Sequence, residues 1–94
     1  METNITKLQQ LYSMHLHTAK KVDKLLSKHL PRGYAKKVAD SLEKEGKQIT
    51  ASTVRQVKTL FLSDLQTLNT LIELAIKTKA DAEAQKKKLK ELTS

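Results

Sequence analysis

The sequence predicts an all-α protein with a single domain, and three observations lead to that prediction. At 94 residues the chain is long enough for one small core and too short for two. It has one Phe, two Tyr and no Trp, so its core must be built from Leu, Val, Ile and Ala. Two Gly and one Pro leave few chain breaks, whereas a sheet protein of this size needs many turns. We therefore expect residues 1–94 to form one helical domain with few interruptions.

Residues 4–30 are predicted to form one long amphipathic helix. Apolar side chains recur there at steps of three and four residues, the spacing that places them on one face of a helix. Pro31 ends the helix, because proline disfavours helical geometry in the residue before it and has no amide hydrogen. Further apolar residues widen the stripe beyond what a small partner covers, which indicates burial against more than one neighbour, and a second subunit is one candidate. These are Leu11, Met14 and Leu25.

Two shorter helices are predicted between residues 34 and 60. The first ends near Gly46, since glycine readily takes the left-handed backbone that follows a helix. The second begins after Thr50, whose side-chain oxygen can accept a hydrogen bond from an amide of the first turn. Val54 and Val57 form its apolar face. Two short helices joined by a glycine-containing turn can hold the second helix in the major groove of DNA.

The last predicted helix spans residues 63–92. Ser63 and Gln66 have the spacing of a capping box at its start. Apolar residues follow a seven-residue repeat through the first half of the helix, and the repeat fades in the lysine-rich second half. Like-charge runs at chain ends are usually solvated or frayed, so we expect the last part of this helix to pack on nothing.

The net charge of +8, from 18 Lys and Arg against 10 Asp and Glu, is unevenly distributed. Residues 1–30 carry a net +3, residues 31–62 a net +4 and residues 63–94 a net +1. Within the basic middle third, residues 46–62 contain three cations and no acid. This distribution favours a nucleic acid, although basic proteins bind many polyanions and charge alone is a weak criterion.

Catalytic and metal-binding chemistry is not expected. Without cysteine the chain has no disulfide, thiolate zinc site or cysteine nucleophile. His15 and His17 lie on different helix faces, and no carboxylate stands three or four residues from either. The sequence contains no glycine-rich phosphate loop and no H-E-x-x-H motif. We therefore predict a protein that is not an enzyme and that has no cofactor, metal or small-molecule ligand.

A cytoplasmic location is predicted from two further features. No apolar run approaches the length of a membrane span. The first residues also lack the basic start and apolar block of a secretory signal. We expect no membrane partner, and association with the nucleoid if the chain binds DNA.

The stretch V-A-D-S-L at 38–42 followed by I-T-A-S-T-V-R-Q-V at 49–57 resembles the helix-turn-helix of small prokaryotic and phage repressor-type DNA-binding proteins. In that family an alanine and a leucine of the first helix pack against two aliphatic residues of the second, which begins at a Ser or Thr cap. The resemblance covers residues 34–60, under a third of the chain, and residues 43–48 lengthen the usual short turn. Either the first helix runs one turn longer, or the extra residues move the two helices apart.

The resemblance implies sequence-specific binding of double-stranded DNA and a role in transcription regulation. It places Arg55 and Gln56 where the family contacts bases, and these side chains suit guanine and adenine respectively. Neighbouring cationic and polar side chains suit the phosphate backbone. The predicted DNA-binding set is Lys36, Lys37, Lys47, Gln48, Thr50, Ser52, Thr53, Arg55, Gln56 and Lys58.

A homodimer is expected, in which the long first and last helices form the interface. Two copies would cover the leucine-rich faces and read an inverted repeat whose half-sites lie about 34 Å apart. The alternative is a coiled-coil-like interaction or assembly module that binds protein and not DNA, with its basic charge serving solubility. RNA is less favoured, because so few aromatic residues leave no stacking surface for unpaired bases.

Overall fold

A computed structural model describes residues 4–93, and over this range the chain forms five α-helices and no strand. Helix α5 contacts α2, α3 and α4, while α1 packs on α2, and α3 packs on α4. The prediction of an all-α fold is confirmed. The helices are α1 (Asn4–Tyr12), α2 (Leu16–His29), α3 (Tyr34–Lys44), α4 (Ala51–Lys58) and α5 (Leu65–Thr93).

One hydrophobic core receives side chains from all five helices. Its fully buried apolar members are leucines, valines and alanines, and the aromatic side chains lie at its edge or outside it. Small side chains on α3 let the neighbouring helices approach closely. The buried apolar residues are Leu8, Ala19, Val22, Leu26, Ala35, Val38, Ala39, Leu42, Val54, Val57, Leu60, Leu68, Leu71 and Ala75.

The predicted single helix over residues 4–30 is wrong, because the chain divides there into α1 and α2. Helix α1 ends at Tyr12, and Ser13 takes a left-handed backbone conformation with a φ of 54°. The break lets α1 contact α2 and brings Leu8 into the same core as Ala19. A straight helix over this range would be about 40 Å long and would carry Leu8 away from the core. Apolar spacing does not reveal the break, since both halves keep steps of three and four residues.

The connection between α3 and α4 begins with a Schellman arrangement. Gly46 has a φ of 89°, and its amide donates to the carbonyl oxygen of Glu43 at 2.9 Å. The amide of Lys47 donates to the carbonyl oxygen of Leu42, also at 2.9 Å. The predicted position of Gly46 just past the helix is thus confirmed. Helix α3 takes in the first two residues of the lengthened connection and ends at Lys44, residues 45–50 remain outside the helices, and α3 stays in contact with α4.

Helix α5 begins two residues later than predicted, and Asp64 caps it in place of Ser63. The hydroxyl of Thr67 donates to Asp64 Oδ2 at 3.0 Å, and the amide of Thr67 donates to Oδ1 at 3.4 Å. Gln66, the expected partner of Ser63, instead donates to Glu45 Oε2 at 3.3 Å. A carboxylate accepts these bonds more strongly than a hydroxyl does, and its charge suits the positive end of the helix.

The second half of α5 extends away from the core. Every side chain from residue 79 to residue 92 is exposed, as expected for the lysine-rich end. The helix would measure about 43 Å at 1.5 Å per residue, which accounts for the 47 Å length of the molecule. None of the described helices combines the length and apolar character needed to cross a membrane.

Candidate nucleic-acid interface

Two buried valines determine which side of α4 faces outward. Val54 and Val57 have no exposed surface, so the helix is fixed in rotation about its axis. The residues on the opposite side are exposed, as helical geometry requires. Ser52, Arg55 and Gln56 form this side, which we term the outer face of α4.

Thr50 caps α4 as the sequence predicts. Its backbone is extended, with φ −96° and ψ 159°, and its Oγ1 accepts from the amide of Thr53 at 3.2 Å. The two hydroxyl oxygens lie 3.0 Å apart and share a second hydrogen bond. A cap of this kind stabilises a helix by about 1 kcal/mol. Thr50 and Thr53 therefore hold the start of α4 in shape, while the outer face has no role in the cap.

The outer face of α4 has the size and chemistry that a DNA groove accepts. A helix with its side chains is about 10–12 Å across, close to the width of the major groove, and the eight residues of α4 give about 12 Å of length to lie in it. Arg55 supplies a forked cation and Gln56 supplies a donor and an acceptor, the two chemistries that read guanine and adenine. No acidic residue lies within α4 itself.

An acidic residue lies close to the start of α4, although it belongs to α3. Glu43 lines a shallow hollow of about 490 Å³ with Gln48, Thr50 and Thr53. The chain reversal at Gly46 brings the end of α3 beside the start of α4. A carboxylate repels phosphate but accepts a hydrogen bond from the amino group of cytosine. The hollow therefore suits a base edge better than the DNA backbone.

Lys47 lies against the start of α5 and not beside the outer face of α4. Its Nζ pairs with Asp64 Oδ2 at 2.5 Å, and both side chains are half-buried. The amide of Asp64 donates to the hydroxyl oxygen of Tyr12 at 3.1 Å, so Asp64 joins α1 and the α3–α4 connection to α5. Burial alone would raise the pKa of Asp64, but the bonds from Lys47 and Thr67 outweigh it and lower the pKa. A phosphate would have to compete with Asp64 for this lysine.

The three remaining predicted phosphate contacts are spread over the molecule. Lys37 lines a groove between α3 and α5, and Lys36 is exposed on α3. Lys58 is half-buried and lines a small cavity of about 30 Å³ beside Asp23 of α2. Lys37 and Lys58 therefore line hollows against α5 and α2, and neither belongs to the outer face of α4.

Residues 4–93 contain no cluster of three or more His, Asp or Glu that could hold a metal ion. His15 and His17 are exposed, and His29 is half-buried on α2. The outer face of α4 offers hydrogen-bond donors and acceptors together with the cation of Arg55.

Comparison with known proteins finds no family model, curated protein or solved structure that matches the chain. The function is therefore argued from the outer face of α4 and its surroundings.

Proposed function

We propose that this protein binds double-stranded DNA in a sequence-specific manner, as a helix-turn-helix in which α3 supports α4. The observation that carries the proposal is the outer face of α4, where Ser52, Arg55 and Gln56 stand opposite two fully buried valines. A helix fixed in this way presents side chains at defined positions, which base recognition needs. The net charge of +8 supplies the long-range attraction to phosphate.

The side chains divide into two roles in this proposal. Arg55 donates two hydrogen bonds to guanine O6 and N7, and Gln56 bonds to adenine N6 and N7. Ser52 and Lys36 contact the phosphates that flank these bases, while Gln48, which lines the hollow with Glu43, contacts a base edge. Because Thr50, Thr53 and Lys47 already bond within the protein, their main contribution is to aim α4.

Selection of bound sequences from a random duplex pool, followed by fluorescence anisotropy on the selected site, tests the proposal. Arg55→Ala should relax the preference at one base pair by about 1–3 kcal/mol. The control is Lys87→Ala, which removes one cation from the exposed end of α5 and should leave the preference unchanged. Absence of binding to any duplex at low salt would remove DNA from consideration.

Regulation of transcription by a homodimer is the biological role that we propose with this binding. A single eight-residue helix contacts few base pairs, and a dimer doubles the site as an inverted repeat. Such a protein would act in the cytoplasm, in association with the nucleoid.

A second candidate function is a helical interaction module that binds protein without DNA. The observation that favours it is the exposure of the sole Phe, Phe61, which is 84% accessible just after α4. Leu62 and Leu65 beside it are also exposed. The duplex-binding experiment separates the two functions, because an interaction module has no reason to prefer one DNA sequence.

A further inference from the structure

A groove of about 530 Å³ runs between α2 and α5, on a part of the molecule that the proposed DNA contacts do not use. Its floor is apolar and consists of Val22, Leu25, Ile72 and Ile76. Ile76 is 54% exposed although it follows core positions of the same helix by only a few residues. The floor thus continues the core outward, and no side chain of the described residues covers it.

The rim of this groove is cationic. Lys21 and Lys24 rise from α2, Lys79 rises from α5, and His29 lies at the edge. No carboxylate is among the described residues that line the groove. Asp23, which is close in sequence, lines the cavity beside Lys58 instead. The groove therefore combines an apolar floor with an unbalanced positive rim.

The positive rim discriminates among possible occupants. A second copy would offer the exposed leucines at the end of α5, but four lysines accompany them between residues 86 and 90 and would repel the rim. DNA would satisfy the lysines and leave the apolar floor exposed to water. An amphipathic helix with acidic flanks matches both parts, since its apolar face fills the floor and its carboxylates meet the lysines.

We infer that the α2–α5 groove binds an acidic amphipathic helical segment of another protein. The probe for this interaction is a labelled synthetic peptide of about 14 residues, with Leu at steps of three and four and Glu at the other positions. Fluorescence anisotropy with the full-length protein at low salt should show binding that weakens as salt screens the charges. Two control peptides carry the same residues in scrambled order, or Lys in place of every Glu.

Two variants test the floor and the rim separately. Ile76→Ser removes the exposed floor residue, and the double change Lys21→Glu with Lys24→Glu reverses the rim, so each should weaken peptide binding at least about tenfold. Lys87→Glu with Lys88→Glu makes the same charge change outside the groove and should reduce affinity much less. All of these side chains are exposed, and circular dichroism confirms that each variant is folded.

Several results would overturn the inference. One is no peptide binding at low salt. Another is a control peptide that binds as tightly as the acidic peptide. A third is a loss of affinity in the Lys87 and Lys88 variant as large as in the Lys21 and Lys24 variant. Sedimentation of Ile76→Ser as a monomer, where the parent chain is a dimer, would assign the groove to a second copy. Binding to vesicles containing phosphatidylglycerol that is lost in Ile76→Ser, without peptide binding, would assign it to a membrane surface.

Discussion

Leu60 adopts a left-handed backbone conformation although it carries a full side chain. Its φ is 66°. Its amide donates to the carbonyl oxygen of Val57 at 3.1 Å, and the amide of Phe61 donates to the carbonyl oxygen of Gln56 at 2.8 Å. These bonds form a Schellman end to α4, the arrangement in which glycine normally stands. Leucine is accommodated because its side chain is buried in the core. Core burial thus offsets a backbone strain of about 1–2 kcal/mol.

We predict that Leu60→Gly is more stable than Leu60→Ala, by about 1 kcal/mol in the free energy of unfolding. Both variants lose the buried side chain, but only glycine removes the left-handed strain. Urea unfolding of the two proteins measures the difference. As a control, Val57→Gly should be less stable than Val57→Ala, because Val57 lies within α4. If Leu60→Gly were less stable than Leu60→Ala, as expected for the pair at Val57, the backbone of Leu60 would not be strained.

Asp64 should make stability depend on pH in the acid range. The bonds from Lys47 and Thr67 lower its pKa in the folded state, so the charged carboxylate stabilises the fold above the ordinary aspartate pKa of about 3.9. That contribution is lost as the pH falls through the lower folded-state pKa. We expect Asp64→Asn, which keeps a capping side chain, to reduce the free energy of unfolding by about 1 kcal/mol at pH 7.

The measurement is urea unfolding of both proteins at neutral pH and at a pH well below 4. The difference between Asp64→Asn and the parent chain should shrink toward zero in acid, since the parent carboxylate is then protonated. Asp81→Asn, on the exposed half of α5, provides a matched change without these bonds and should show no such trend. A difference that stays constant with pH would exclude a role for the Asp64 charge.

At the scale of helices, the sequence predicts the helix ends that lie at glycine and proline. It does not predict the helix ends that lie at other residues. Gly46 ends α3 as expected, because its conformational freedom is visible from its identity alone. The N-terminal helix breaks at Ser13, where the turn lets Leu8 pack in the core, and the local spacing of apolar residues does not reveal this contact. The start of α5 was misassigned for a similar reason, since Asp64 is selected over Ser63 by partners distant in sequence.

The Thr50 cap leads to a prediction about the whole of α4. Thr50→Ala removes the acceptor for the Thr53 amide and should reduce the free energy of unfolding by about 1 kcal/mol. Under the proposed function it should also weaken binding to every duplex, because the start of α4 becomes less ordered. Thr50→Ser should retain both properties. Urea unfolding and fluorescence anisotropy measure the two effects.

Ser52→Ala is the matched comparison for this cap, because Ser52 is exposed on the same helix two residues further on. It should leave stability unchanged and weaken DNA binding only through a lost contact. If Thr50→Ala left stability unchanged as well, the capping bonds would not contribute to the fold.

At the scale of the whole molecule, the sequence identified the residues of the outer face of α4 but not the arrangement of the lysines around it. Arg55 and Gln56 follow directly from the apolar spacing of α4, since helical geometry alone turns them outward. Lys47, Lys37 and Lys58 depend on how distant helices pack, and the fold directs them toward α5 and α2. Positive charge is therefore less concentrated around α4 than the linear sequence indicates.

In place of the interface expected on the long first and last helices, we predict that the exposed apolar residues after α4 hold a homodimer together. Phe61 and Leu65 are 84% and 59% exposed, and a contact between them and their copies would bring the ends of the two α4 helices together. Phe61→Ser should then convert the dimer to a monomer in sedimentation equilibrium. Affinity for an inverted repeat should fall at least about tenfold, because the two half-sites are no longer bound by linked modules. Affinity for a single half-site should stay the same.

Leu92→Ser, at an equally exposed position on the end of α5, is the control and should change neither the dimerisation nor the affinity for the inverted repeat. Dissociation by Leu92→Ser and not by Phe61→Ser would move the interface to the end of α5.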